Sequence, residues 1–329
     1  AGSIANLICP PYDVISPAAE RELLAMSPYN MVRMELAELE GSPPTSRYSN
    51  AAAAFRTMRD DGVLIRDEVP SYYLLRQRFV AGGGPKERLS LLGALRLEEL
   101  GTNVLPHEDT AAGPKADRLA LMHAAKANFS PLMMLYRDSS GVIREALSTA
   151  VGMTPLVEFE VNGVASSLWP ITNSDQQEAV AAGLAAEPVF VADGHHRYET
   201  SLTYLKQSGS GTDDSSQFVL TALIDFADPG LVILPYYRVV RGASEAQIQK
   251  LKALLGLYFV SRPAGTAPGA ASALDAVVAT IGQSQVALGT VEKGVSPALL
   301  TPANDIIPEP DPSASPQTQV RSVEAFVIQ

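Results

Sequence analysis

Val189–Leu205 reads VFVADGHHRYETSLTYL. Val189–Ala192 is an apolar run of buried-strand character, Asp193-Gly194 is a turn, and Tyr198–Lys206 carries a helical pattern. A strand that turns into a helix aims free backbone N–H groups, and the positive end of the helix dipole, at whatever binds there. Gly194 allows close backbone approach or a positive φ. Arg197 offers a planar fork suited to phosphate oxygens, and His195 and His196 add donors whose charge changes near neutral pH. Asp193 serves either to hold a metal ion, to orient a hydroxyl, or to cap the helix. Clustered against a buried strand, such polar groups are costly without a ligand, so Asp193, Gly194, His195, His196 and Arg197 are read as an anion site of phosphate type. Zinc is disfavoured, because adjacent histidines point about 100° apart on a helix and no thiolate cluster accompanies them.

Further elements are read outward from this unit. Ser16-Pro17 starts a helix, with Ser16 as N-cap and Pro17 at the first position. Asn50–Asp60 is helical and ends at Asp61-Gly62. Ser71–Val80 and Arg88–Leu97 alternate as strands around the Gly82–Pro85 turn, forming a hairpin. Pro114 opens a helix through Met122, and Leu132–Tyr136, Phe218–Asp225 and Leu231–Leu234 are strands. Ala243–Leu254 is a helix, and Gly209–Ser216 a solvated loop. The expected fold is α+β, a mixed sheet with flanking helices. Residues 1–296 form the ligand-binding region, with a subdomain break weighed near 140–185, and the Pro-rich stretch 297–329 is extended.

At 329 residues, 46% hydrophobic and 19% charged, the chain can build a large core. The formal net charge of −11 opposes a broad nucleic-acid footprint but leaves local phosphate binding open. Cys9 is the single cysteine, which excludes an internal disulfide, and it is read as a small buried hydrophobe. Neither a signal-peptide pattern nor an apolar run of membrane-spanning length is read, so a soluble, cytoplasmic chain is expected.

Two further segments carry chemistry. Leu105–Thr110 (LPHEDT) supplies His107 and Glu108 either as an acid/base pair or as part of a polar loop. Lys115 and Arg118, three apart on the following helix, are placed to face one ligand, or to form a salt-bridged surface. Pro10-Pro11-Tyr12-Asp13 forces an extended backbone that presents Asp13 near an edge, as a functional carboxylate or a turn cap.

PPYDVIS, LPHEDT with GPKADRL, NFSPL and ADGHHRYETSL, in this order, resemble the family called domain of unknown function 1015. Through its DGHHR box that family is distantly similar to the ParB/sulfiredoxin superfamily, where such a box binds nucleotide phosphates. Free serine kinases are among its members. The resemblance implies a ParB/sulfiredoxin-like core and a small-molecule phosphotransferase, foremost one making O-phosphoserine from L-serine with ATP, ADP or pyrophosphate as donor. Gly194, His195, His196 and Arg197 would then bind the donor, Asp193 its Mg²⁺, and Lys115 or Arg118 would neutralise charge. Asp13, Glu108 and Asp193 compete as base, with His107 beside Glu108. A nucleotide or pyrophosphate hydrolase and a non-catalytic nucleotide-binding regulatory module are the alternatives. Tyr236-Tyr237-Arg238 stands where the family pattern suggests Thr-His-Arg. The resemblance also implies a strand ahead of Ala1 and further chain after Gln329.

Overall fold

The computed structural model describes residues 3–36, 46–81, 83–107, 112–208, 215–232, 242–263, 288–290 and 298–303. Two compact units divide between Val232 and Ile233. The first is built on an eight-stranded mixed sheet, as the alternation of strands and helices leads one to expect.

Its strands are β1 (Tyr72–Ala81), β2 (Gly84–Arg96), β3 (Val104–Leu105), β4 (Leu132–Tyr136), β5 (Val157–Val161), β6 (Val164–Ile171), β7 (Val189–Asp193) and β8 (Phe218–Asp225). Their spatial order is β3-β7-β4-β8-β2-β1-β6-β5. The half β2-β1-β6-β5 is antiparallel throughout. In the other half β4 lies between β7, antiparallel to it, and β8, parallel to it, and β3 pairs in parallel with β7. A parallel pair cannot be closed by a tight turn, so the chain between β4 and β8 holds helices and other strands.

The helices are α1 (Pro17–Met26), α2 (Val32–Glu35), α3 (Arg47–Asp60), α4 (Ala112–Ala125), α5 (Val142–Val151), α6 (Ser174–Ala185) and α7 (His195–Ser208). Ser16 caps α1 through its hydroxyl, which accepts from the Ala19 N–H at 3.2 Å, with Pro17 in the first turn. The main core joins Val189 and Val191 of β7, Leu132, Met134 and Tyr136 of β4, and Tyr198 and Leu202 of α7. α4 packs on α3 and α7.

Three readings need correction. α7 begins at His195, three residues before the expected Tyr198, because Gly194 and not a later residue takes the cap position. Leu231 and Val232 carry no strand. The stretch 140–185 contributes α5, β5, β6 and α6 to the first unit. Tyr237, residues 209–214 and most of the Pro-rich stretch lie outside the described residues.

In the second unit α8 (Glu245–Tyr258) begins with a capping box, the Ser244 and Gln247 side chains each serving the other's backbone. β9 (Phe259–Pro263), β10 (Leu288–Thr290) and β11 (Ala298–Pro302) form a small antiparallel sheet in the order β10-β11-β9.

Candidate functional site

The chain's polar chemistry collects at the C-terminal end of β7. Opposite this end Met133 pairs with Asp193 and Met134 with Val191, leaving Ala192 as the extra residue of a bulge. Bulges re-aim the residues beyond them. Here Asp193 emerges with 65% of its side chain exposed. Gly194 follows at φ +96° and its carbonyl accepts from Tyr198 N–H at 2.9 Å, which makes it the N-cap of α7.

Gly194 is needed for space as well as for its φ. A Cβ there would stand 2.6 Å from Leu132 Cδ2 and 3.0 Å from Arg197 Nη2. The Arg197 guanidinium folds back over the glycine, donating from Nη2 to Asp193 Oδ2 (2.7 Å) and from Nη1 to the Pro131 carbonyl (2.8 Å). A guanidinium and the amide end of a helix dipole thus share one spot, with the Asp193 carboxylate beside them.

The two histidines have different fates. His196 is half-buried, while His195 is 1% exposed. His195 Nε2 accepts from the His107 backbone N–H at 3.2 Å, and the two rings meet edge to face at 4.5 Å. A neutral imidazole that accepts at Nε2 carries its proton on Nδ1. Burial, then the charge of His107, pushes the His195 pKa down to about 4. His195 is therefore a neutral acceptor that pins the chain at His107 to α7, and not the charge-switching donor expected from the sequence. His107 Nε2 in turn donates to the Ala192 carbonyl at 3.0 Å.

This sets a pH dependence. The unfolded chain takes up a proton near pH 6.5, while folded His195 resists it down to about 4, so stability falls as pH drops through that window. We expect urea denaturation to lose roughly 2–3 kcal/mol from this group between pH 7 and 4. His195→Gln should flatten that slope; an unchanged slope would remove His195 as its source.

A second layer of charge lies behind the helix end. Lys115 on α4 pairs with Glu199 on α7. Arg118, 7% exposed, donates to Glu35 Oε2 at 3.0 Å and to the Glu35 carbonyl at 3.2 Å, and also pairs with Asp117. Asp117 lies below the usual carboxylate range: burial acts to raise it, but the Arg118 guanidinium, Tyr48 and Arg47 outweigh that. Lys115 and Arg118 thus serve separate carboxylates rather than one shared ligand.

The Tyr12 ring covers Arg118, 3.9 Å from centroid to guanidinium carbon, and carries Asp13 beside it, exposed. Burial raises the Tyr12 pKa, against the pull of Arg118 and Arg197. Ser130 donates to Glu35 Oε1. Glu35, Arg118, Ser130 and Arg197 line a cavity of about 40 Å³ under the site. That space is large enough to admit water.

The structure thus brings Tyr12, Arg118 and Arg197 within electrostatic reach of one another, with Asp13, Asp193 and Gly194 beside them. His107 joins through His195. Glu108 lies outside the described residues. Glu35, whose partner is distant along the chain, carries no local signal in the sequence; the NFSPL motif marks Ser130 and Pro131 but not what they hold. Among the described residues no three His, Cys, Asp or Glu side chains gather as a metal site. Cys9 is half-buried, and burial followed by the charge of Glu35 pushes its thiol up to about 12, which fits a packing group. No described helix is long and apolar enough to cross a membrane.

No curated protein and no solved structure matches the chain. The motifs gathered here, from PPYD to DGHHR, all fall within residues 1–313, which match the family described as protein of unknown function (DUF1015), and the chain belongs to that family.

Proposed function

We propose that this protein is a small-molecule phosphotransferase, a free L-serine kinase that forms O-phosphoserine. On this reading the strand–DGHHR–helix unit is the phosphate box of a ParB/sulfiredoxin-like core. The observation that carries it is the Arg197 guanidinium folded over Gly194 at the start of α7. A cationic fork, a helix N-terminus and a glycine that admits close approach are together what a phosphoryl group requires.

Donor phosphates, from ATP, ADP or pyrophosphate, sit at the α7 N-terminus, against Arg197, with His196 beside it. Mg²⁺ accompanies them. With Asp193 and Asp13 as the exposed carboxylates among the described residues here, the donor set fits an ion delivered with its phosphates rather than a resident metal, and Asp193 would be its protein ligand. Such an ion spreads the charge of the phosphate oxygens. The acceptor lies on the exposed side of the site, beside Asp13. Its hydroxyl oxygen attacks the terminal phosphorus, the bond to the leaving phosphate breaks, and the hydroxyl proton passes to Asp13. Asp193, already accepting from Arg197, is the poorer base. Arg197 offsets the charge on the leaving group.

The test is incubation with L-serine, Mg²⁺ and each donor in turn, followed by phosphorus NMR. O-phosphoserine is the expected product. Phosphate release independent of serine would make the protein a hydrolase, and donor binding without turnover would make it a regulatory module. Asp13→Asn should lower kcat by at least about a hundredfold with little change in donor affinity; full activity would pass the base role to Glu108. Arg197→Ala should weaken donor binding by about tenfold or more, and retained affinity would remove the phosphate assignment.

A further inference from the structure

Phe190 of β7 stands on the strand face opposite Val189 and Val191, which are buried in the main core. Its ring meets Phe226, just past β8, edge to face at 5.2 Å and 80°. Arg137, just past β4, holds its guanidinium carbon 5.7 Å from both ring centroids. No carboxylate among the described residues pairs with Arg137, although its neighbour Arg144 is tied to Asp225 at 3.0 Å. Phe226 keeps 39% exposure and Arg137 is exposed. A cation without a carboxylate, set over two rings that remain open to solvent, is a surface for a flat π-system.

Its place in the sheet says which one. Phe190 precedes Asp193 on β7 with the bulge between them; their partners Leu135 and Met133 are two positions apart on β4, so the two lie about 7 Å apart along the strand. Arg137 lies four positions past Met133, the partner of Asp193, about 13 Å away on β4. That is the span from a base across its ribose to the first phosphates. We propose that Arg137, Phe190 and Phe226 form the nucleobase subsite of the phosphoryl donor, which makes the donor a nucleoside di- or triphosphate and not pyrophosphate. The inference rests on the phosphate site proposed above and fixes the class of its donor. The chain's net charge of −11 directs such a subsite to a single nucleotide rather than to a nucleic-acid strand.

Calorimetric titration of the full chain with ADP and with pyrophosphate, both with Mg²⁺, tests this. Wild type should bind ADP more tightly than pyrophosphate. Phe226→Ala and Arg137→Ala should each weaken ADP about tenfold and leave pyrophosphate within about twofold, while Phe226→Trp should restore ADP binding. Both sites are exposed, and an unchanged melting midpoint will confirm folding. Failure to bind ADP, or equal losses for the two probes, would overturn the subsite. Base-dependent ADP binding without O-phosphoserine would keep the subsite and reject the kinase. O-phosphoserine formed from pyrophosphate, indifferent to these variants, would do the reverse.

Discussion

Replacing Arg118 with Leu is expected to destabilise the protein by about 3–5 kcal/mol, and adding Glu35→Met is expected to recover most of the loss. The two side chains are 8% and 5% exposed, at 3.0 Å, with the Tyr12 ring closing over the guanidinium. Removing only the arginine leaves a carboxylate buried with Ser130 as its remaining named donor. Removing both charges replaces a costly desolvated pair with apolar volume, which proteins tolerate well. Asp117 survives the change better than Glu35, since it keeps Arg47 and Tyr48. Urea denaturation of both single variants and the double variant is the measurement. A double variant no better than Arg118→Leu would mean that the network's geometry, and not its charge balance, holds this region. The same double variant should free the Tyr12–Asp13 segment, so recovered stability without recovered turnover is the expected outcome.

Gly194→Ala should cost about 1–3 kcal/mol from its φ of +96° and a comparable amount from crowding. The added methyl meets Leu132, which is fully buried, and the Arg197 guanidinium. The guanidinium is the far end of a long flexible side chain, so it is displaced along with the Leu132 methyl. Donor affinity should therefore fall by about as much as in Arg197→Ala, and the two changes combined should cost little more than either one. Additive losses would show that Gly194 contributes its own backbone contact independently of Arg197.

The parts of the fold legible in sequence are those that local chemistry decides. The β1–β2 hairpin announced itself by alternation around a glycine turn, and α1 by Ser16-Pro17. β4 and β8 were readable as short apolar runs. The stretch from Val142 to Ala185 was passed over, although Asn162-Gly163, at φ +52° and +75°, turns β5 into β6 as an Asn-Gly hairpin does. Asn173, which accepts from Gln176 N–H, marked the start of α6 in the same way. The candidate site was half legible. DGHHR and PPYD stood out because polar groups beside apolar runs need a reason. Glu35 did not, because in MVRMELAELE it reads as one more solvated acid, and only the tertiary fold brings Arg118 and Ser130 to it. His195 and His196 are neighbours in sequence, and helix geometry alone sends one into the core and leaves the other at the rim.

The strand order also governs how the chain acquires this site during synthesis. β1, β2, β5 and β6 pair with one another and can close as they leave the ribosome. β4, the apolar LMMLY, finds neither neighbour until β7 and then β8 emerge. Until Phe218–Asp225 is available, β4 keeps an open edge, as does β2, whose second partner is also β8. Such edges are templates for misassembly, so this half of the sheet is the part that calls for chaperone protection. A product that ends between residues 208 and 218 would carry the DGHHR segment intact and still leave β4 without β8, its other neighbour.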